Sequence, residues 1–278
     1  MYRAALLFLL ILPLGGFGSA ERLFAPSAER WPRWERHAPD SRERLEFVAW
    51  DALLRRVVTG SGDGINRVDY RSLAGAEAET LAGIVAELEA VPVSTLNRSQ
   101  QLAYWINLYN AVTLQVVARH YPVASIRDID ISPGWFADGP WDAALVTVEG
   151  VALTLNDIEH RILRPVWSDP RIHYAVNCAS LGCPNLAPTA YRGGDAERQL
   201  AEAARSYVNH PRGVTVAGGE VVVSKIYDWF LEDFGGSVEG LLAHLRRYAS
   251  PDLAAALAEK REIGGTVYDW ALNDTADP

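Results

Sequence analysis

The chain has 278 residues, of which 49% are hydrophobic and 22% charged, enough to bury a core without disulfide staples. Its net charge of −9, with no basic stripe to offset it, argues against nucleic acid or an anionic membrane surface as a partner.

Residues 1–20, MYRAALLFLLILPLGGFGSA, carry one early cation at Arg3, an apolar run from Ala4 to Leu14 and small residues ending in Gly18-Ser19-Ala20. This is the layout of a cleavable export signal cut after Ala20, and its apolar run is shorter than the roughly 20 residues that span a bilayer. The mature chain is therefore expected to be periplasmic or secreted, with no stable membrane insertion, where nearby thiols can oxidise. Residues 21–42, with Pro26, Pro32 and Pro39 among charges, read as an irregular lead-in, and 43–275 as a single globular domain.

Helical periodicity marks 45–58, 79–91 and, most strongly, 99–122, where Leu102, Trp105, Ile106, Tyr109, Val112 and Val116 form an apolar stripe. Asn107 and Asn110 lie three apart beside that stripe, placed to satisfy buried backbone or to hold a substrate. Hairpins are signalled by turns at Glu149-Gly150 and Gly218-Gly219, and further helices cover roughly 195–209 and 237–259. Helices mixed with hairpins, without a regular βαβ alternation, predict an α+β fold of several helices packed on a small, mostly antiparallel sheet. A permuted papain- or transglutaminase-like arrangement is compatible with that order by analogy.

In TLNDIEHRILRP (154–165), Thr154 and Asp157 resemble a capping box, and Leu155, Ile158 and Ile162 share a helical face. Glu159 falls in the middle of that face, where a carboxylate must be paired because burying it alone is expensive. His160 sits about 100° round, at the edge of the stripe. Adjacent helical residues do not face each other, so Glu159 is expected to support a site rather than hold the His160 ring.

Both cysteines lie in IHYAVNCASLGCPNL (172–186). Ile172, Tyr174 and Val176 alternate with His173, Ala175 and Asn177, which predicts a buried strand ending at Cys178. On an extended strand His173 and Asn177 point one way and Cys178 the other, leaving His160 as the candidate partner for the thiol. A metal site is weakly supported, because a C-x₄-C pair has no matching second pair. The spacing also differs from the C-x-x-C of thioredoxin-like redox sites. A Cys178–Cys183 disulfide and a thiolate nucleophile both stay open on the residues alone. SKIYDWFLEDF (224–234) and TVYDWALND (266–274) read as packing with a capping aspartate. No nucleotide, dinucleotide or G-x-S-x-G signature is present, so no cofactor is expected.

LAYWINLYNAVTLQVV, LTLNDIEHRILRP, DPRIHYAVNCASLGCPNL and the terminal YDWALND resemble, in order over roughly 45–275, the family called domain of unknown function 547. The resemblance implies functional positions at Glu159, His160, His173 and Cys178, with Asn107 and Asn110. Plant members of the family often lack a cysteine matching Cys183, which shifts the weight to Cys178. The resulting expectation is an exported thiol-dependent hydrolase or acyltransferase acting on an amide or ester of a small-molecule or peptide substrate. Cys178 would attack, His160 would move the proton, Glu159 would orient the site, and Asn107 or Asn177 would donate to the oxyanion. The rival expectation is a non-catalytic binding or assembly module clipped by Cys178–Cys183.

Overall fold

The computed structural model describes residues 17–18, 21–22, 25–134 and 139–276; the apolar run Ala4–Leu14 and the cut after Ala20 lie outside them. In chain order the elements are α1 (Val48–Val57), β1 (Val58–Gly60), β2 (Asn66–Val68), α2 (Tyr70–Ala74), α3 (Ala78–Glu89), α4 (Arg98–His120), β3 (Val146–Val148) and β4 (Val151–Leu153). They continue with α5 (Arg164–Trp167), α6 (Ala196–Val208), β5 (Val214–Ala217), β6 (Glu220–Ser224), α7 (Lys225–Trp229), α8 (Val238–Tyr248), α9 (Pro251–Leu257) and β7 (Gly265–Val267). The strands make two antiparallel hairpins and a three-stranded sheet in the order β5-β6-β7, in which only β7 runs parallel to its neighbour. The fold is α+β. Among the described residues no helix is long and apolar enough to cross a membrane.

Local chemistry accounts for most of these elements. Asn97 caps α4 by accepting from Gln100 N, and Ser250 caps α9 by accepting from Leu253 N. That second cap, followed by Pro251, divides the helix expected over 237–259 into α8 and α9. The β3–β4 turn places both Glu149 (φ 45°) and Gly150 (φ 77°) in the left-handed region, matching the twist of a two-residue hairpin.

The expected apolar stripe on α4 understates its burial. Every residue from Gln100 to Ala118 is buried, because α2, α3, α6 and the turn after β4 pack around the helix. A helix enclosed on all sides has no polar face, so its asparagines must find partners inside the protein. Around α4 lies one apolar core; a second gathers Tyr174, Tyr207, Tyr227, Phe234 and the leucines of α8. Residues 172–176 join the two: Ile172, Ala175 and Val176 belong to the first core and Tyr174 to the second.

Two local readings change. The segment after Thr154 is capped as expected, Asp157 N donating to Thr154 Oγ1 and Thr154 N to Asp157 Oδ2, but Asp157–Leu163 forms a π-helical turn. Its wider i→i+5 spacing brings His160 inward with Glu159, Ile158 and Ile162, so His160 is buried rather than at a half-exposed edge. The strand expected at 172–177 is instead the 3₁₀ turn Pro170–Tyr174, capped by Asp169, with Ala175 in the right-handed region. Apolar side chains recur here because the turn packs into both cores, Ile172, Ala175 and Val176 into one and Tyr174 into the other.

The lead-in docks against the π-helical turn: Glu29 N donates to His160 O, Trp31 N to Arg161 O, and Trp34 is buried against Trp105. The C-terminal segment docks against the cysteine loop, with Leu181 N donating to Ala271 O, Gly182 N to Asp269 O and Asn273 N to Ala179 O. At Gly182 a Cβ would lie 2.7 Å from Asp269 N and 2.9 Å from Asp269 O. Gly182→Ala is therefore expected to cost about 1–3 kcal/mol, read as a lower urea midpoint, because backbone must move to admit the methyl group.

Candidate functional site

The site is built from the π-helical turn running into α5, the 3₁₀ turn with the loop Asn177–Cys183 that follows it, the chain from α7 to residue 234, and the segment after β7 that carries Tyr268. Asn110, on α4, holds the start of the loop: Asn110 Nδ2 donates to Ala175 O and Asn177 N donates to Asn110 Oδ1. Asn177 staples the loop to itself, donating to Pro184 O and accepting from Ala179 N. Asn107 donates to Tyr191 O and accepts from Tyr191 N and Trp50 Nε1. All three side-chain amides are thus engaged by backbone: Asn110 and Asn177 position the cysteine loop, and Asn107 holds the chain at Tyr191.

Cys178 lies half-buried where this loop turns, with the next residue, Ala179, at φ 61°. A non-glycine residue in the left-handed region stores strain, here held by the zipper to the C-terminal segment. Cys178 Sγ lies 2.9 Å from Tyr268 Oη and 3.3 Å from Ser180 Oγ, and the two hydroxyls are 2.9 Å apart. Cys183 is buried, 3% exposed, and its sulfur accepts from Cys178 N at 3.0 Å. Both cysteines are free thiols in this structure. The hydrogen bond from Cys183 lowers the Cys178 pKa, the Ser180 and Tyr268 hydroxyls lower it further, and burial and Glu159 oppose them. Burial pushes the Cys183 thiol well up.

Beside this triangle lies a buried ionic cluster. His173 Nε2 is 2.6 Å from Asp233 Oδ2 and His173 Nδ1 is 3.5 Å from Glu159 Oε1. Both ring nitrogens face carboxylates, so the ring is held as imidazolium. Burial lowers the His173 pKa, but hydrogen bonds to Asp233 and Glu159 outweigh it and raise it overall. Arg164 donates through Nε to Asp233 Oδ2 at 2.6 Å and through Nη1 to Pro26 O and to His160 Nδ1. Arginine only donates, so His160 Nδ1 accepts and the ring is neutral with its proton on Nε2. Burial drives the His160 pKa down to about 4, with Arg164 and His173 adding to it and Glu159 opposing. Burial would raise Glu159, but His160, His173 and Arg164 outweigh it and keep the carboxyl ionised, with a pKa of about 2. Phe230 stacks on His173 at 4.4 Å and also carries the Arg164 guanidinium at 4.6 Å.

Glu159 and His173 therefore meet in space, and Glu159 is close enough to Cys178 to oppose its ionisation. His160 is brought to Arg164 and Phe230, and among the described residues no histidine is hydrogen-bonded to Cys178. The groups that do touch the sulfur, Ser180 and Tyr268, carry no sequence signal of their own. Asp233 and Arg164 were equally hidden, since a salt bridge across 69 positions leaves no periodicity. The repeated Tyr-Asp-Trp triplets were the available clue: Trp229 of the first packs on Tyr268 and Trp270 of the second, at 4.9 and 5.6 Å.

Residues 93–208, which contain α4, the π-helical turn and the whole cysteine loop, match the model of a family described as "Protein of unknown function, DUF547". Over that stretch, less than half of the chain, the sequence is similar to this family. The match includes Glu159, His160, Arg164, His173, Cys178 and Cys183, while Asp233 and Tyr268 lie beyond its end. No curated protein and no solved structure matches the chain.

Proposed function

We propose that the protein is an exported thiol-dependent acyl-transfer enzyme, a hydrolase or acyltransferase, with Cys178 as nucleophile. The observation that supports it is the pair of hydroxyls within hydrogen-bond reach of a half-buried thiol at a strained turn, which can donate to the sulfur and favour thiolate without a histidine base. The thiolate attacks the acyl carbon, an acyl-thioester forms, and the leaving group departs with the bonding pair. Tyr268 and Ser180, already aimed at the sulfur, are placed to donate to the oxygen that becomes negative. Water or an acceptor nucleophile then releases the acyl group.

The leaving group narrows the substrate. An amine must be protonated as it departs, and the two imidazoles here are committed to Arg164 and to the two carboxylates. Esters and thioesters, whose leaving groups depart with less help, suit this site better than amides. A binding or assembly module is the second reading, favoured by the same saturation of the histidines and asparagines.

The test is intact-mass analysis after incubation with a short-chain acyl thioester and the corresponding amide. The thioester is expected to add one acyl group to Cys178, absent in Cys178→Ala and retained in His160→Ala, with circular dichroism confirming both folds. Loss of the adduct in folded His160→Ala would restore His160 as the base. Absence of any adduct on wild type would favour the binding module.

A further inference from the structure

We propose that Cys178 and Cys183 form a peroxide-responsive pair, in which a hydroperoxide oxidises Cys178 and Cys183 resolves the product as a reversible disulfide. This goes beyond acyl transfer and needs no acyl substrate. Four observations carry it. The two residues share a direct contact, Cys178 N donating to Cys183 Sγ at 3.0 Å, so the second sulfur is held at the backbone of the first cysteine. Their access is unequal: Cys178 is half-buried, whereas Cys183 is 3% exposed, so an oxidant from solvent meets Cys178 first. Tyr268 and Ser180 hydroxyls lie on the Cys178 sulfur, placed to stabilise its thiolate and to hydrogen-bond an oxygen added to it. Finally, the Leu181 and Gly182 amides bonded to Ala271 O and Asp269 O fix the short loop between the two sulfurs.

The chemistry balances in two steps. The Cys178 thiolate attacks one oxygen of the hydroperoxide ROOH; the S–O bond forms, the O–O bond breaks, and RO⁻ takes a proton and leaves as ROH. Cys178 is then a sulfenic acid. The Cys183 sulfur attacks the Cys178 sulfur; the S–S bond forms, the S–O bond breaks, and hydroxide leaves as water with the Cys183 proton. Overall two thiols lose two electrons and two protons, and the peroxide is reduced to ROH and water. The nucleophile is thereby masked until a thiol reductant regenerates it. A loop this short gains little stability from being closed, so the bond suits a switch better than a structural clip.

The experiment treats the reduced, purified protein with hydrogen peroxide in the presence of dimedone, which traps sulfenic acids, followed by thiol counting and peptide mass mapping. Wild type is expected to lose both thiols, to form an internal Cys178–Cys183 disulfide, and to recover fully in dithiothreitol. Cys183→Ser, and Cys183→Ala as a second variant of the buried position, are expected to accumulate a dimedone adduct on Cys178 at least about tenfold above wild type. In Cys178→Ser the remaining Cys183 should stay reduced. Equal dimedone labelling of wild type and both Cys183 variants, no adduct in either folded variant, or rapid oxidation of Cys183 in Cys178→Ser would each overturn the pair. A protein that accepts no acyl group yet forms this disulfide would lose the acyl-transfer reading and keep this one.

Discussion

Asp233→Ala is expected to destabilise the fold by about 3–5 kcal/mol, the range for removing one member of a buried charge network. The side chains of Arg164 and His173 are 4% and 2% exposed, and both direct a nitrogen at the same Asp233 oxygen at 2.6 Å. Without that oxygen, two cations stay buried with Glu159 as their remaining carboxylate, and Phe230 cannot replace a charge. The loss should also depend on pH. His173 is raised above its ordinary 6.5, so its stabilising share is complete below that value and is lost as the pH rises through the raised pKa. Glu159 and Asp233 are depressed from 4.5 and 3.8, so their share is present above those values and is lost as the pH falls toward their folded pKa values. Urea unfolding over an interval rising from about pH 6 through the raised His173 pKa separates the variant from wild type. Wild type should lose more stability across that interval than Asp233→Ala, in which the His173 pKa relaxes downward. Equal midpoints for the two proteins at about pH 6 would show that the cluster contributes nothing to the fold.

Tyr268→Phe is expected to slow acylation or alkylation of Cys178 at neutral pH by about 100-fold, the usual cost of one donor aimed at developing charge. The substitution keeps the ring that packs on Trp229 and Trp270 and removes only the hydroxyl 2.9 Å from the sulfur. Because that hydroxyl lowers the thiol pKa, its loss should also move the pH–rate profile for alkylation to higher pH. Ser180→Ala, which removes the other hydroxyl on the sulfur at 3.3 Å, should shift the profile in the same direction. An unshifted profile in Tyr268→Phe would mean that the hydroxyl does not stabilise the thiolate.

Much of the scaffold was legible because it follows short-range rules. The apolar period of α1, α3, α4 and α6, the turns Glu149-Gly150 and Gly218-Gly219, and the Thr154–Asp157 cap are each decided within a few residues. The π-helical turn was not, since the sequence marks a helix there without marking its i→i+5 bonding. Nor was the 3₁₀ turn at 170–174: where every residue from 172 to 177 is buried, alternation in hydrophobicity no longer distinguishes a strand from a turn. The site divides along the same line. Glu159, His160, His173 and Cys178 were singled out as residue types near one another in sequence. Their partners Asp233 and Tyr268 are assigned by tertiary contact, while Arg164, four residues along from His160, turns that ring from a proton acceptor for sulfur into a neutral ring held by arginine.

The zipper between the cysteine loop and the C-terminal segment has a consequence in time. Tyr268 lies 90 positions after Cys178, and closing so long a stretch of chain is slow compared with forming a local turn. While the polypeptide is still emerging from the ribosome, Cys178 is an ordinary thiol with ordinary reactivity. The Tyr268 hydroxyl can reach the sulfur only after α6 to α9 have been made. Synthesis from the N-terminus thus leaves Cys178 without that contact until the C-terminal segment is in place.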